Sequence, residues 1–283
     1  IDGKRTEVIQ KVVVAFRAPE NLVVTIENDL QVSKKVTVTA KADFALFYDV
    51  YFGEPGNNNP ISANNGESVA YIYNNPGVYK IRVVSKSAAI KTTEFVKDFE
   101  VTVVNKPFTS APTPPNRQAG DVISLYGSKY TNLTGTNFFP DWGQGGQGSS
   151  WTEFDLNGDK MLNYIKLSYQ GNALADGKTI DVSGMEFFHM DVWTADLDKI
   201  ETSLISLTGG EKPVVRSLNA NQWTSIDIPI KAFTDQGLKV SDIFQLKYVG
   251  IPWATGSVFI DNIYHLKNSI VNLVVISYLL VLI

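Results

Sequence analysis

The sequence predicts an all-β protein made of two successive sandwiches. Three observations carry that reading. Short runs rich in Val, Ile, Thr and aromatic residues recur between Gly, Pro and Asn turn signals. No stretch sustains the apolar spacing of a long helix. The pattern is interrupted by a proline-rich stretch, Lys106 to Gly120 (KPFTSAPTPPNRQAG), which divides the chain into a shorter and a longer half.

In the first half, Glu7 to Ala15 and Asn21 to Glu27 are strand-like and are separated by Pro19. Lys34 to Ala40 (KKVTVTA) alternates apolar and polar residues, as a half-buried strand does. Phe44 to Phe52 follows, then a Gly/Asn/Pro loop from Gly53 to Pro60 and a strand at Ser68 to Tyr73. Asn74-Asn75-Pro76-Gly77 makes a turn into Val78 to Ser85, and Lys91 to Val104 supplies the last one or two strands. Pro107, Pro112, Pro114 and Pro115 favour extended polyproline II, so residues 107–120 are expected to be a stiff linker holding two domains apart.

The second half starts with Val122 to Tyr126. Thr152 to Leu156 and Met161 to Ser168 are joined through Asn157-Gly158, a hairpin signal because both residues accept positive φ. In Met185 to Thr194, Phe188, Met190 and Val192 face a core, which leaves His189, Asp191 and Trp193 on the other side. That row either lines a binding surface or forms a satisfied internal network, and the second is the expected one for His189 and Asp191. Leu204–Leu207, Val214–Ser217, Gln222–Ile230, Phe244–Val249 and Ser257–Tyr264 add further strands, which fits a β-jelly roll. The organisation expected is therefore a sandwich over residues 1–106, the linker over 107–120, a jelly roll over 121–267 and an apolar tail over 268–283.

Composition narrows the function. At 283 residues and 44% hydrophobic content, the chain can build a core in each half. A net charge of −4, with both signs dispersed and no basic block, argues against nucleic acid as a partner. The absence of cysteine removes disulfides, thiolate metal sites and thiol nucleophiles. Starting at Ile1, the chain reads as a mature form or a piece of a longer protein. Its end, IVNLVVISYLLVLI from Ile270 to Ile283, is shorter than the roughly 20 residues that span a bilayer. A reading-frame artefact, a packed strand or helix and a membrane-inserting tail all stay open for it.

The most informative stretch runs from Asp121 to Trp151. It carries Trp142-Gly143-Gln144 into a glycine-rich loop that ends on Trp151. An aromatic face stacks on the apolar C–H face of a pyranose and amides meet its hydroxyls, so aromatics beside amides and glycines suit a sugar surface. Trp142 and Gln144 are the first candidates, the alternative being a loop Trp folded back as a plug. Tyr169 and Gln170 come next, the alternative being a β-edge aromatic. Trp151 is a third, and equally a residue that begins a core strand. Trp223, in the alternating WTSIDIPI, reads as structural, and Trp253, after Ile251-Pro252, reads as a loop residue for which a rim contact is the lesser alternative. Asp155, Asn157 and Asp159 imitate the start of an EF-hand loop, but Lys160 and Lys166 stand where that loop needs Gly and Glu. No laminarinase-type E-x-D-x-x-E run and no G-x-S-x-G elbow is present, so the chain reads as binding rather than catalysing.

Two resemblances add to this reading. Tyr71-Ile-Tyr73-Asn-Asn-Pro-Gly77-Val-Tyr79-Lys-Ile81-Arg-Val83 resembles the H-x-Y-x-x-x-G-x-Y-x-V signature of PKD domains, with Tyr71 in place of His, and Phe52-Gly53 resembles that family's F-G. The resemblance covers residues 8–106 and implies an immunoglobulin-like spacer in which Tyr73 and Tyr79 are packing residues. The second half resembles the β-sandwich carbohydrate-binding modules found beside laminarinases and in surface glycan-binding lipoproteins of Bacteroidetes-type bacteria. The matching pieces are Val122-Ile-Ser-Leu-Tyr126, Asp141-Trp142-Gly143-Gln144, Tyr169-Gln170-Gly171, His189-Met-Asp191-Val-Trp193-Thr194, Trp223-Thr-Ser-Ile-Asp227-Ile-Pro229 and Phe259-Ile-Asp261-Asn262-Ile263.

This second resemblance implies a jelly roll of galactose-binding-like type that binds a polysaccharide, most of all a β-glucan such as laminarin. It also implies a place outside the cell or on the outer-membrane surface of a Gram-negative bacterium. Anchoring would be through a lipidated N-terminal segment, and the partner an outer-membrane glycan transporter. It further implies a structural Ca2+ between the first and last strands, held by Asp261 with Ser128 and the Tyr126 carbonyl. Where such modules carry an acidic residue after the first strand, this chain has Gly127-Ser128. An accessory portion of a secreted glycoside hydrolase and a protein-binding adhesin or scaffold remain the alternatives.

Overall fold

A computed structural model describes residues 16–267 together with Gly3, Glu7, Ile9 and Gln10. The strand expected over Glu7–Ala15 and the apolar tail lie largely or wholly outside the described residues. The chain divides into two compact units, Ile1–Val104 and Asn105–Ile283. No helix among the described residues is long and apolar enough to cross a membrane.

The described residues of the first unit form a sandwich of seven strands: β1 (Glu20–Asn28), β2 (Lys35–Asp43), β3 (Phe47–Tyr51), β4 (Ile61–Asn64), β5 (Ser68–Ile72), β6 (Gly77–Lys86) and β7 (Thr93–Val101). One sheet runs β1-β2-β5 and the other β4-β3-β6-β7, with antiparallel pairs throughout. The alternation of β2 does what its sequence predicts: Val36, Val38, Ala40 and Ala42 are buried and the residues between them are not. β4 escapes sequence reading because it is a four-residue edge strand behind a polar loop.

Tyr73 is buried and its hydroxyl donates to the Phe52 carbonyl at 2.8 Å, while its ring packs between Tyr71 and Tyr79. Both tyrosines of the signature are thus packing residues. Gly53 has φ +72°, and a Cβ there would lie 2.4 Å from the Lys80 carbonyl oxygen. Gly53→Ala is therefore expected to cost about 2 kcal/mol or more, read as a lower denaturant midpoint for the first unit.

The described residues of the second unit hold ten strands: β8 (Val122–Tyr126), β9 (Ser150–Leu156), β10 (Asp159–Ile165), β11 (Tyr169–Ala173), β12 (Phe187–Thr194), β13 (Lys199–Ser206), β14 (Gly210–Ser217), β15 (Gln222–Pro229), β16 (Ile243–Ile251) and β17 (Val258–Leu266). Among the described residues one short α-helix, α1 (Lys231–Thr234), follows β15. One sheet runs β15-β12-β17-β10-β9, with β8 also on β17; the other runs β11-β16-β13-β14. The β9–β10 hairpin turns through Asn157 and Gly158 at φ 56° and 96°. Phe188, Met190 and Val192 of β12 are fully buried and meet Leu204 and Leu246 of the other sheet in one core.

The proline-rich stretch is not a free spacer, because it is a strap laid across the outer face of the β15-β12-β17-β10-β9 sheet. Trp223 Nε1 donates to the Thr109 carbonyl at 2.8 Å, Asn262 Nδ2 to Pro112 at 3.0 Å, and the Tyr130 hydroxyl to Pro115 at 2.6 Å. Arg117 donates to the Lys267 carbonyl at 2.8 Å, and the Lys106 ammonium sits over the Phe154 ring. Proline lacks a backbone N–H, so this chain contributes carbonyls and accepts what the sheet donates. Under the strap, Trp193, Phe259 and Tyr264 are nearly fully buried on what would otherwise be an open face.

Candidate functional site

With one outer face strapped, the solvent-facing side of the β11-β16-β13-β14 sheet is the surface left for a ligand. Register places three rows across it. Tyr169, Val249, Glu201 and Val215 form the first; Gly171, Lys247, Ser203 and Pro213 the second; Ala173, Gln245, Ile205 and Glu211 the third. Their alternate neighbours Leu204, Leu246 and Tyr248 point into the core.

Trp142 lies on this face. Its ring covers Gly171 so closely that a Cβ there would stand 1.7 Å from Cζ3, which is why glycine occupies that strand position. The Tyr169 hydroxyl donates to the Trp142 carbonyl at 2.7 Å. Trp253, 52% exposed, brings its ring to 6.0 Å from that of Tyr169 with a 39° tilt. Its loop is pinned where the Ala254 N–H donates to the Leu167 carbonyl at 3.0 Å. Two of the candidates named from sequence, Trp142 and Tyr169, therefore meet, and Trp253 joins them. Trp142 over Gly171, Tyr169 on the strand itself and Trp253 against Tyr169 thus lie side by side at the β11 edge.

The amides are a correction. Gln144 and Gln170 are 0% and 1% exposed and do not reach solvent. Gln144 Nε2 donates to the Pro140 carbonyl at 2.6 Å and to Gln170 Oε1 at 2.9 Å, while its Oε1 accepts the Trp142 N–H at 2.6 Å. Gln170 Nε2 in turn donates to the carbonyls of Gly171 at 3.0 Å and Pro140 at 3.2 Å. A buried amide requires such partners, and these two use theirs to fix the loop that carries Trp142. Asn137 extends the loop by exchanging backbone hydrogen bonds with Ala173, which covers the β11 edge. Trp151 is partly buried and packs against the core from β9, opposite Tyr164, which is the alternative the sequence left open for it.

The polar groups on the face come from elsewhere. Lys247 forms an ion pair with Glu211, and the Ser203 hydroxyl donates to Glu211 at 2.7 Å. Gln245 and Glu201 flank them in the neighbouring rows. Glu201, Ser203 and Glu211 have no aromatic beside them in sequence, and Gln245 and Lys247 adjoin Phe244 and Tyr248 of the same strand, so only the register singles these residues out.

The row of His189, Asp191 and Trp193 is an internal network under the strap. Asp191 accepts from Asn262 Nδ2 at 2.7 Å and from the Ser225 hydroxyl, and His189 Nδ1 pairs with Asp227 at 2.8 Å. Burial alone would lower the His189 pKa, but the Asp191 and Asp227 carboxylates outweigh it and raise it to about 9.

Asp261, Ser128 and Tyr126 lie on this strapped side. Asp261 and Ser128 line a cavity of about 300 Å³ with Asp159, Asn262 and strap residues 110–114. A neighbouring cavity of about 250 Å³ is lined by Tyr126, Ser128, Glu153 and Asp159. Asp261 is buried and its carboxyl is pushed up to about 6, first by desolvation and then by the Asp159 and Asp191 charges, although the Asn262 N–H works against the rise. Among the described residues no three His, Cys, Asp or Glu gather to hold a metal. The donors here are nevertheless all oxygens, with two carboxylates on one cavity, and Ca2+ completes such sets with hydroxyl, amide and carbonyl oxygens. The residues fit a hard cation in that manner.

No protein-family model matches the chain, and no curated protein is similar to it. Among solved structures, it is similar to a carbohydrate-binding module of the β-sandwich superfamily described for its promiscuous specificity. That match has 14% identity and a TM-score of 0.30, and covers 90% of this chain and 100% of the other. A family 30 carbohydrate-binding module from a cellulosomal cellulase of Clostridium thermocellum is 14% identical with a TM-score of 0.35, over 52% of this chain and 92% of that one. An exo-β-agarase is 14% identical with a TM-score of 0.38, over 52% of this chain and 25% of the enzyme. Each is a distant likeness.

Proposed function

We propose that the second unit binds a polysaccharide without cleaving it, on the outer face of the β11-β16-β13-β14 sheet. The observation that carries this reading is the contiguous edge of Trp142, Tyr169 and Trp253. Hydrogen bonds hold it rigid beside a row of polar side chains, so little ordering is needed on binding. The finer reading draws on the motif resemblance: a β-glucan such as laminarin, held at the outer surface of a Gram-negative bacterium by a lipid-anchored protein that serves a glycan transporter. The first unit is the spacer in that arrangement.

Affinity electrophoresis or calorimetry against laminarin, mixed-linkage glucan, xylan and mannan tests it. The wild type is expected to bind at least one, and Tyr169→Ala and Trp253→Ala to weaken that binding roughly tenfold or more while remaining folded. Undiminished binding in both variants would move the site elsewhere, and no binding by the wild type would favour the adhesin.

Asp261, with Asp159 and Ser128, is proposed to hold a structural Ca2+. A bound cation would relieve the repulsion among the buried carboxylates and tie β17 to the β9–β10 turn and the segment after β8. Adding Ca2+ to chelator-treated protein is expected to raise the unfolding temperature of wild type and not of Asp261→Asn. Equal melting of the wild type with and without Ca2+ would refute the site.

A further inference from the structure

The paired charge in the middle of the open face has a geometry of its own. Lys247 stands directly opposite Gly171 in the sheet, the glycine that the Trp142 ring covers. Its ammonium crosses over Ser203, which is fully buried, to reach Glu211 on the far strand. Both side chains keep solvent contact, at 24% and 35% exposure. An ammonium has three donors and a carboxylate two oxygens with several acceptor sites. The pair therefore offers a free donor and a free acceptor side by side, at the height of the aromatic edge. Two adjacent hydroxyls of a sugar match that arrangement, one accepting from Nζ and the other donating to the carboxylate. Ser203 fixes the carboxylate through Oε1 and leaves Oε2 for a ligand.

Charge sets the class of glycan. The face carries Lys199 and Lys247 against Glu201 and Glu211, so its charges cancel, and Asp141 beside Trp142 adds a negative one. The face therefore has no net positive charge to attract a carboxylated or sulfated chain.

We infer that Lys247 and Glu211 act together as the specificity-determining pair of this face, reading a vicinal diol on the sugar stacked beside Trp142, and that the ligand is an uncharged polysaccharide. This rests on the reading of the face as a glycan platform. Lys247 and Glu211 come from strands β16 and β14 and are joined only by the fold.

The test uses the full chain with laminarin, mixed-linkage glucan, xylan, mannan and polygalacturonate as probes, and the variants Lys247→Met, Glu211→Gln, their double and Trp142→Ala. Each single change is expected to weaken binding to the best neutral glycan about tenfold or more, since a hydrogen bond to a charged group is lost. The double variant is expected to be little worse than either single, because both remove one shared element. Polygalacturonate is expected to stay unbound by wild type. If wild type binds no neutral probe, the platform reading fails and takes this one with it. If Trp142→Ala loses binding while Lys247→Met and Glu211→Gln bind like wild type, the platform stands and the diol-reading pair is overturned. Preference of wild type for polygalacturonate overturns the neutral class. Unchanged circular dichroism in the variants ties each loss to the face rather than to folding.

Discussion

Trp142→Ala should bind its polysaccharide at least about 30-fold more weakly than wild type, the largest effect of any single change on the open face. The ring does two things at once. One side lies on the Gly171 backbone, and the ring begins the edge that Tyr169 and Trp253 continue. Removing it takes away a stacking surface and bares a glycine in an edge strand. Trp142→Phe keeps an aromatic plane over Gly171 and is expected to fall in between. Gly171→Ala supplies an independent check. Its Cβ would displace the Trp142 ring while leaving every aromatic in the sequence, so it should lose binding much as Trp142→Ala does. Calorimetry on the three variants reads this directly. Full affinity in Gly171→Ala would mean that the position of the Trp142 ring is immaterial.

The second large effect is on stability against pH, in chelator-treated protein. His265 is fully buried against Phe188, with neither ring nitrogen partnered, and burial lowers its pKa to about 3. The unfolded chain takes up this proton below about 6.5 and the folded one does not, so His265 stabilises above that pH and its contribution is lost as pH falls toward 3. Asp261 works in the opposite sense. Its carboxyl, raised to about 6, holds a proton that the unfolded chain has already released, so its contribution is lost as pH rises from about 4 to 6.

Between those limits the two slopes, each about 1.4 kcal/mol per pH unit, oppose one another and wild type should be nearly flat. His265→Leu should then lose stability as pH rises from 4 to 6, and Asp261→Asn should gain it. His189, raised to about 9, adds a loss on the alkaline side between about 6.5 and 9. Denaturant melts across this range decide the matter. Parallel profiles for the two variants would show that these groups do not carry the linkage.

Much of the fold was legible because strand alternation and turn chemistry are local. Lys34–Ala40, Asn157-Gly158 and Met185–Thr194 each state their structure within ten residues. What failed was non-local. A proline-rich run looks alike whether it is free or laid on a sheet, and only Trp223, Asn262 and Tyr130 decide which. Gln144 and Gln170 carry the amide a sugar needs, yet the same amide answers a carbonyl, and Pro140 and Gly171 provided those first. Trp142 and Tyr169 showed themselves as aromatics beside glycine. Glu211 had no such neighbour, Lys247 adjoins only Tyr248, which is buried in the core, and the two needed the register of β13 between them.

The strap has a consequence for valency. A sandwich has two broad faces, and both halves of this one carry rings and hydroxyls of the kind that sugars adhere to. With one face closed by residues 106–117, the proposed site would leave the second unit monovalent, meeting one polysaccharide strand at a time. It would decorate a glucan without bridging two, so mixing it with a soluble glycan should leave the solution clear rather than turn it into a gel.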